Sequence, residues 1–218
     1  MSQSVFSVKE AFKWGWQKTL ANLKILIGVL VLSTAVSLPR LFFPDPATQE
    51  MSFLMVVGLL VALVILVFQA ELHLGMLKIC LGLHDGRPVA FKDAFSCFNI
   101  VWKLIASAVV YGLIVGLGFL LLIVPGIILA LRLYFFNYFL VDKGMGPIQA
   151  LKQSWNLTKG MTIKLLLLTL ASVGINVLGA LCFGLGLLVT VPTTILAFTY
   201  VYRKMLAPAV NTPGTQSV

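Results

Sequence analysis

Long apolar runs alternate along this chain with short segments in which apolar and polar positions interleave at helical spacing. The runs fall near 22–39, 52–71, 102–123, 126–142, 161–183 and 187–203. Each approaches the ~20 residues a helix needs to cross ~30 Å of hydrocarbon. Alternation of strand length is missing, so the pattern predicts helices, which satisfy their own backbone groups in lipid, rather than a β-barrel.

Three short segments precede pairs of runs: Ser7–Trp16, Phe91–Phe98 and Pro147–Trp155. On a helix, Val8, Ala11, Phe12, Gly15 and Trp16 share one face, as do Ile148, Leu151 and Trp155, opposite faces of Lys and Gln. Ser7 with Glu10 has capping-box spacing, and Pro147 suits a first helical turn. Too short and polar to span, these segments are expected in the membrane interface, with Phe12, Trp16, Phe95, Trp102, Leu151 and Trp155 as anchors.

The chain also repeats a phrase. Gly116-Leu117-Gly118 followed by Val124-Pro125-Gly126 returns as Gly184-Leu185-Gly186 followed by Val191-Pro192-Thr193. The predicted fold is therefore an all-α integral membrane protein of six transmembrane helices. They form three parallel units, about 5–83, 88–143 and 146–206, each an interfacial helix plus a helical hairpin. Residues 1–206 make one polytopic domain, and 207–218 a disordered cytoplasmic tail.

Composition agrees: 60% hydrophobic and 11% charged residues with a mean hydropathy of +1.02 leave too little polar surface for a water-soluble domain. Charge sets the orientation. Fourteen of the 16 basic residues lie before or at the start of the first run, in or beside the second-to-third and fourth-to-fifth connections, or at the end of the last run and just after it. Only Arg40 falls on the opposite face, in a Pro39–Gln49 outer loop with Pro44, Pro46 and Asp45, bounded by Glu50. The positive-inside rule places the basic face and both termini in the cytoplasm. Lys9, Lys13, Lys18 and Lys24 interrupt the first 24 residues, so the first crossing is expected to be an uncleaved signal-anchor. The net charge of +9 is spread over four segments rather than one face, which excludes a nucleic-acid surface and points to anionic lipid headgroups as partners.

Several separated motifs then carry a resemblance. Val124-Pro125-Gly126 through Leu131-Arg132-Leu133-Tyr134-Phe135, Val141-Asp142-Lys143-Gly144, Gln149–Ser154 and Leu157-Thr158-Lys159-Gly160 resemble the YciC-like family of bacterial membrane proteins, as do Asp85-Gly86-Arg87 and Asp93-Ala94-Phe95 upstream. That family is related to the membrane domain of some glycerophosphodiester phosphodiesterases. The resemblance covers roughly residues 70–205 and implies a six-helix protein of the bacterial inner membrane, without an established activity. The metal-binding carboxylates of the phosphodiesterase barrel have no counterpart in these residues, so that chemistry is not carried over.

Candidate chemistry is sparse. Glu71-x-His73, at the expected cytoplasmic end of the second crossing, is the best acid–histidine pair, but it lacks metalloprotease spacing. No metal or cofactor is expected. Cys80, Cys97 and Cys182 read as free thiols. Small residues spaced four apart, Ala108, Gly112 and Gly116 on the third crossing and Ser172, Asn176, Ala180 and Gly184 on the fifth, read as helix-packing stripes within one chain or between copies.

Arg132 is the residue out of place, ~15 Å above the cytoplasmic boundary near the midplane. Carbonyls near Gly116 and Gly118, Asn176 or Glu71 are the expected acceptors, with Tyr134, Asn137, Tyr138 and His73 as polar neighbours. It reads either as structural glue or as an anion or headgroup site. The expected function is non-enzymatic: an interaction or accessory protein of a membrane process, with a membrane-protein partner. The alternative is a small transporter or lipid-handling protein built around Arg132.

Overall fold

The computed structural model describes residues 6–37, 53–181 and 185–210. The Pro39–Gln49 loop, Glu50, Cys182, Gly184 and residues 211–218 of the expected tail lie outside the described residues. The helices are α1 (Val8–Ala21), α2 (Leu23–Ser37), α3 (Phe53–His84), α4 (Phe98–Leu121), α5 (Ile123–Leu133), α6 (Phe136–Lys143), α7 (Pro147–Leu157), α8 (Thr162–Leu181) and α9 (Leu187–Val210). A short 3-10 helix, Phe91–Phe95, precedes α4. No strand occurs among the described residues.

Four segments are long and apolar enough to cross a membrane: Val57–His84, Phe98–Leu121, Ile123–Lys143 and Thr162–Leu181. The pair α1–α2, bent by 90°, would make a fifth if it counts as one span. The α9 helix is less apolar because it is the inner helix. Leu196, Ala197, Thr199, Val201 and Tyr202 on it are fully buried. Three of its threonines return their hydroxyls to their own helix, Thr193 to the Val189 carbonyl at 2.7 Å, Thr194 to that of Val191 at 2.8 Å and Thr199 to that of Ile195 at 2.9 Å, whereas the buried Thr190 hydroxyl has no partner among the described residues.

The first amphipathic segment departs from expectation. Helix α1 runs antiparallel along α9, with Trp14 against Tyr200 and Thr19 bonded to Thr193 at 3.1 Å. It buries Ala11, Gly15 and Thr19, its smallest side chains, and leaves Trp16 47% exposed. The cause is backbone approach: a Cβ on Gly15 would lie 2.7 Å from the Thr193 carbonyl. The second segment is a single 3-10 turn rather than an α-helix. Its Ala94 backbone presses on Gly75 of α3, where a Cβ has no room, and the Asp93 carboxylate accepts the Ala90 N–H at 2.8 Å. In the third segment, α7 buries Ala150, Leu151 and Ser154 against protein, while Ile148 is 72% exposed. Leu151 is thus a core residue, not an interfacial anchor.

Within the chain the small-residue stripes on the third and fifth runs do not bring helices together. Ala108, Gly112, Gly116 and Ala180 are exposed, and a Cβ on Gly112 or Gly116 would meet nothing. Ser172 is buried but bonds to the Leu168 carbonyl of its own helix, and Asn176 is half-buried. Close packing occurs instead at the hairpin mouths. A Cβ on Gly118 would lie 3.0 Å from Gly126 Cα, and one on Gly186 would lie 2.7 Å from Gly179 Cα. The expected second crossing is extended, since α3 continues to His84, and the fourth is broken into α5 and α6 at Tyr134–Phe135.

Gly75→Ala is therefore expected to destabilise the protein by about 1–3 kcal/mol or more through overpacking. Gly112→Ala should be neutral within about 0.5 kcal/mol. Thermal unfolding of both variants in detergent checks the contrast, and equal melting temperatures would refute this packing scheme.

Candidate functional site

Arg132 sits one residue before the break between α5 and α6. A break at membrane depth frees backbone groups that lipid cannot satisfy. Helix α7 supplies the partners. Ser154 Oγ donates to the Arg132 carbonyl at 2.8 Å and accepts the Phe135 N–H at 3.1 Å, and Thr158 Oγ1 donates to the same Arg132 carbonyl at 3.0 Å. The Arg132 guanidinium lies 3.6 Å from the centroid of the Trp155 ring and donates to the Trp155 carbonyl at 3.4 Å. A cation over an aromatic face and beside a helix C-terminus is doubly stabilised. None of the three expected acceptors is used. The fold brings Arg132 to α7, whose hydroxyls meet the interruption at Tyr134–Phe135. Trp155, expected as a lipid anchor, is the cation's platform.

Glu71 and His73 lie within α3, thirteen and eleven residues before its end, so the helix continues well past the predicted run. Glu71 is fully buried and its Oε1 accepts the Cys97 N–H at 2.7 Å, at the start of α4. Lys78 Nζ donates to Ser96 Oγ at 2.7 Å nearby. These two bonds fasten the 3-10 segment to α3. Glu71 is a structural fastener, and His73 points elsewhere. Asn137 Nδ2 of α6 lies 3.5 Å from His73 Nε2. His73 and Gln69, one helical turn apart, line a cavity of about 700 Å³ between α2, α3, α4 and α9. Gln69 is a residue that sequence reasoning missed, although a polar side chain closing a long apolar run was the available signal.

Of the remaining candidates, Tyr134 packs on Phe198 at 4.8 Å, on the far side of the break from Arg132's partners. Asn176 Oδ1 is buried without a partner among the described residues. Phe12 and Phe95 are half-buried and Trp102 is 61% exposed. Cys80 and Cys97 are free and buried. No three metal-ligating side chains gather among the described residues.

The strongest polar constellation was not anticipated. Arg203 of α9 grips Asp142 of α6 in a two-pronged pair, Nη1 to Oδ2 at 2.9 Å and Nη2 to Oδ1 at 2.8 Å. Its Nη2 also donates to Asp85 Oδ2 at 2.7 Å, and Tyr202 OH donates to Asp142 Oδ2 at 3.1 Å. Arg87 adds a second bond to Asp85 at 2.7 Å. Burial alone would raise the Asp85 carboxyl, but Arg203 and Arg87 outweigh it and hold the group below the usual carboxylate range. The scarcity of acids in this chain was the signal: two of seven meet at one arginine.

Arg203→Leu strands the Asp142 and Asp85 carboxylates and should cost about 3 kcal/mol, whereas Asp85→Asn, at the open edge, should cost about 1 kcal/mol or less. A depressed carboxyl contributes stability above its unfolded value of about 3.9 and loses it as acid carries it through the lower folded value. Wild-type melting should thus fall below about pH 4 more steeply than that of Asp85→Asn. Parallel acid limbs for the two proteins would remove Asp85 from the clamp.

The family model "Domain of unknown function (DUF7847)" matches residues 88–216. Over 234 aligned positions the chain is 27% identical to Uncharacterized protein Mb2590 of Mycobacterium bovis. It is 27% and 26% identical to Uncharacterized proteins MT2637 and Rv2560 of Mycobacterium tuberculosis. Each similarity spans 94% of this chain and 70% of the relative. No solved structure matches. Since the matched residues form more than half of the chain, from the 3-10 segment through α9, the protein belongs to the DUF7847 family.

Proposed function

We propose that this chain is a non-catalytic multi-pass protein of the bacterial inner membrane that serves as an interaction or accessory component of a membrane process. In this reading it crosses six times in three parallel units, with both termini cytoplasmic, and its YciC-like motifs reflect shared architecture. The observation that carries the reading is how the polar side chains are spent. Arg132, Glu71, Asp85, Asp142 and Arg203 all bind other parts of the same chain. Meanwhile Lys9, Lys13, Lys92, Lys152 and Lys159 stay exposed beside exposed Trp16, Trp102 and Ile148. A basic rim interleaved with apolar side chains suits anionic headgroups and a protein partner at the cytoplasmic surface. The transporter reading centred on Arg132 has less support, because that guanidinium is stacked on Trp155 and bonded to its carbonyl, although its Nε is buried without a partner among the described residues.

Two measurements test the proposal. A cysteine at position 48 should react with an impermeant maleimide in intact cells, and one at position 153 should not; labelling at 153 overturns the orientation. A photocrosslinker at Ile148 should give a discrete protein adduct in cells that one at Leu113, on the apolar flank, does not. The same adduct pattern at both positions would defeat the interaction reading.

A further inference from the structure

The cavity beside α3 goes beyond that reading. Its walls are apolar, among them Leu66, Ile105, Val109 and Ile195, and its polar side chains include Gln69 and His73. A volume of about 700 Å³ falls inside the ~300–1,000 Å³ range of small-molecule sites. We propose that this cavity binds a neutral lipid carrying a free hydroxyl, such as a diglyceride.

Three observations point to that chemistry. Gln69 Oε1 is buried and has no hydrogen-bond partner among the described residues, so it calls for a donor. Asn137 Nδ2 lies 3.5 Å from His73 Nε2, and with that nitrogen accepting, the ring hydrogen sits on Nδ1. A hydroxyl can donate to Gln69 and accept from His73 at once, which neither an ester nor a bare acyl chain can do. Second, among the described residues no Lys, Arg, Asp or Glu lines the cavity, so a charged headgroup would be left unpaired in apolar surroundings. Third, the α4 wall from Leu104 to Val109 begins just beyond exposed Trp102 and half-buried Lys103. An aromatic and a lysine together mark a membrane surface, so the cavity lies at the depth where lipid hydroxyls sit. Exposed Leu66 and Val109 at the cavity margin leave a lateral path for an acyl chain. The depth argument rests on α4 crossing as proposed above. The ligand argument does not, and maleimide labelling at position 153 tests the topology separately.

The test uses the full chain in detergent with 1,2-dioctanoylglycerol and its 3-O-acetyl derivative. The free hydroxyl should bind about tenfold more tightly and raise the melting temperature more, because the acetylated probe leaves Gln69 unpaired. Gln69→Leu should fold as well as wild type, since it removes a stranded acceptor, and should bind both probes equally. Val109→Trp fills the cavity mouth and should weaken both. Equal binding of the two probes by wild type would overturn the proposal, because lipid would then merely coat an apolar surface. So would a hydroxyl preference that survives in Gln69→Leu, or binding undiminished in Val109→Trp.

Discussion

Arg203 is the point on which the helix arrangement turns. A guanidinium 16% exposed at a bundle end must be paired, because its desolvation is offset only by well-placed carboxylates. It takes Asp142 in a two-pronged grip and Asp85 with the same nitrogen. Those acids sit at the end of α6 and just past α3, so one side chain fixes both relative to α9. The aromatic layer above depends on that register: Tyr138, Tyr202 and Phe135 pack within about 6 Å of one another between α6 and α9. With the ends held, small residues can bring backbones into contact higher up, as Gly15 does against Thr193.

Helical class and the apolar runs were legible because they depend only on composition and length. Residue burial within each helix was not. Helical periodicity marks Ala11, Phe12 and Trp16 as one face, but it does not say that the neighbour is the inner helix α9 rather than lipid. Against lipid the large side chains should turn outward, and against a backbone the small ones turn inward. The second case holds for α1. The same ambiguity hides which four-residue stripes pack within the chain. Gly112 and Gly116 repeat at packing distance yet face open space, while Gly118, two residues further, makes the close contact.

The repeated phrase shows how a real pattern carries less geometry than it promises. Gly118 ends the incoming helix of its hairpin and meets Gly126 across the turn. Its textual counterpart, Gly186, precedes the outgoing helix and meets Gly179 behind it. What the two hairpins share is a glycine on each arm where the backbones cross, not the phrase itself. Sequence shows the letters in register; only the turn position shows which arm they serve.

The motif residues gain a physical account in the same way. Ser154 and Thr158 recur in the resemblance without a role that sequence could assign, because their partner lies some twenty residues earlier, at a break that apolar continuity concealed. Once α5 stops at Leu133, the Arg132 carbonyl and the Phe135 N–H need partners, and α7 brings two hydroxyls to them. The arginine then has one inexpensive place to go, the Trp155 ring and carbonyl on that helix. Break, hydroxyls, cation and tryptophan form one unit, in which removing any member leaves another unsatisfied. In this protein a charge deep in an apolar run therefore marks a joint, although Arg132 Nε itself has no partner among the described residues, and a search for ligands is better directed to an unanswered polar atom whose side chain also lines a cavity, as Gln69 does.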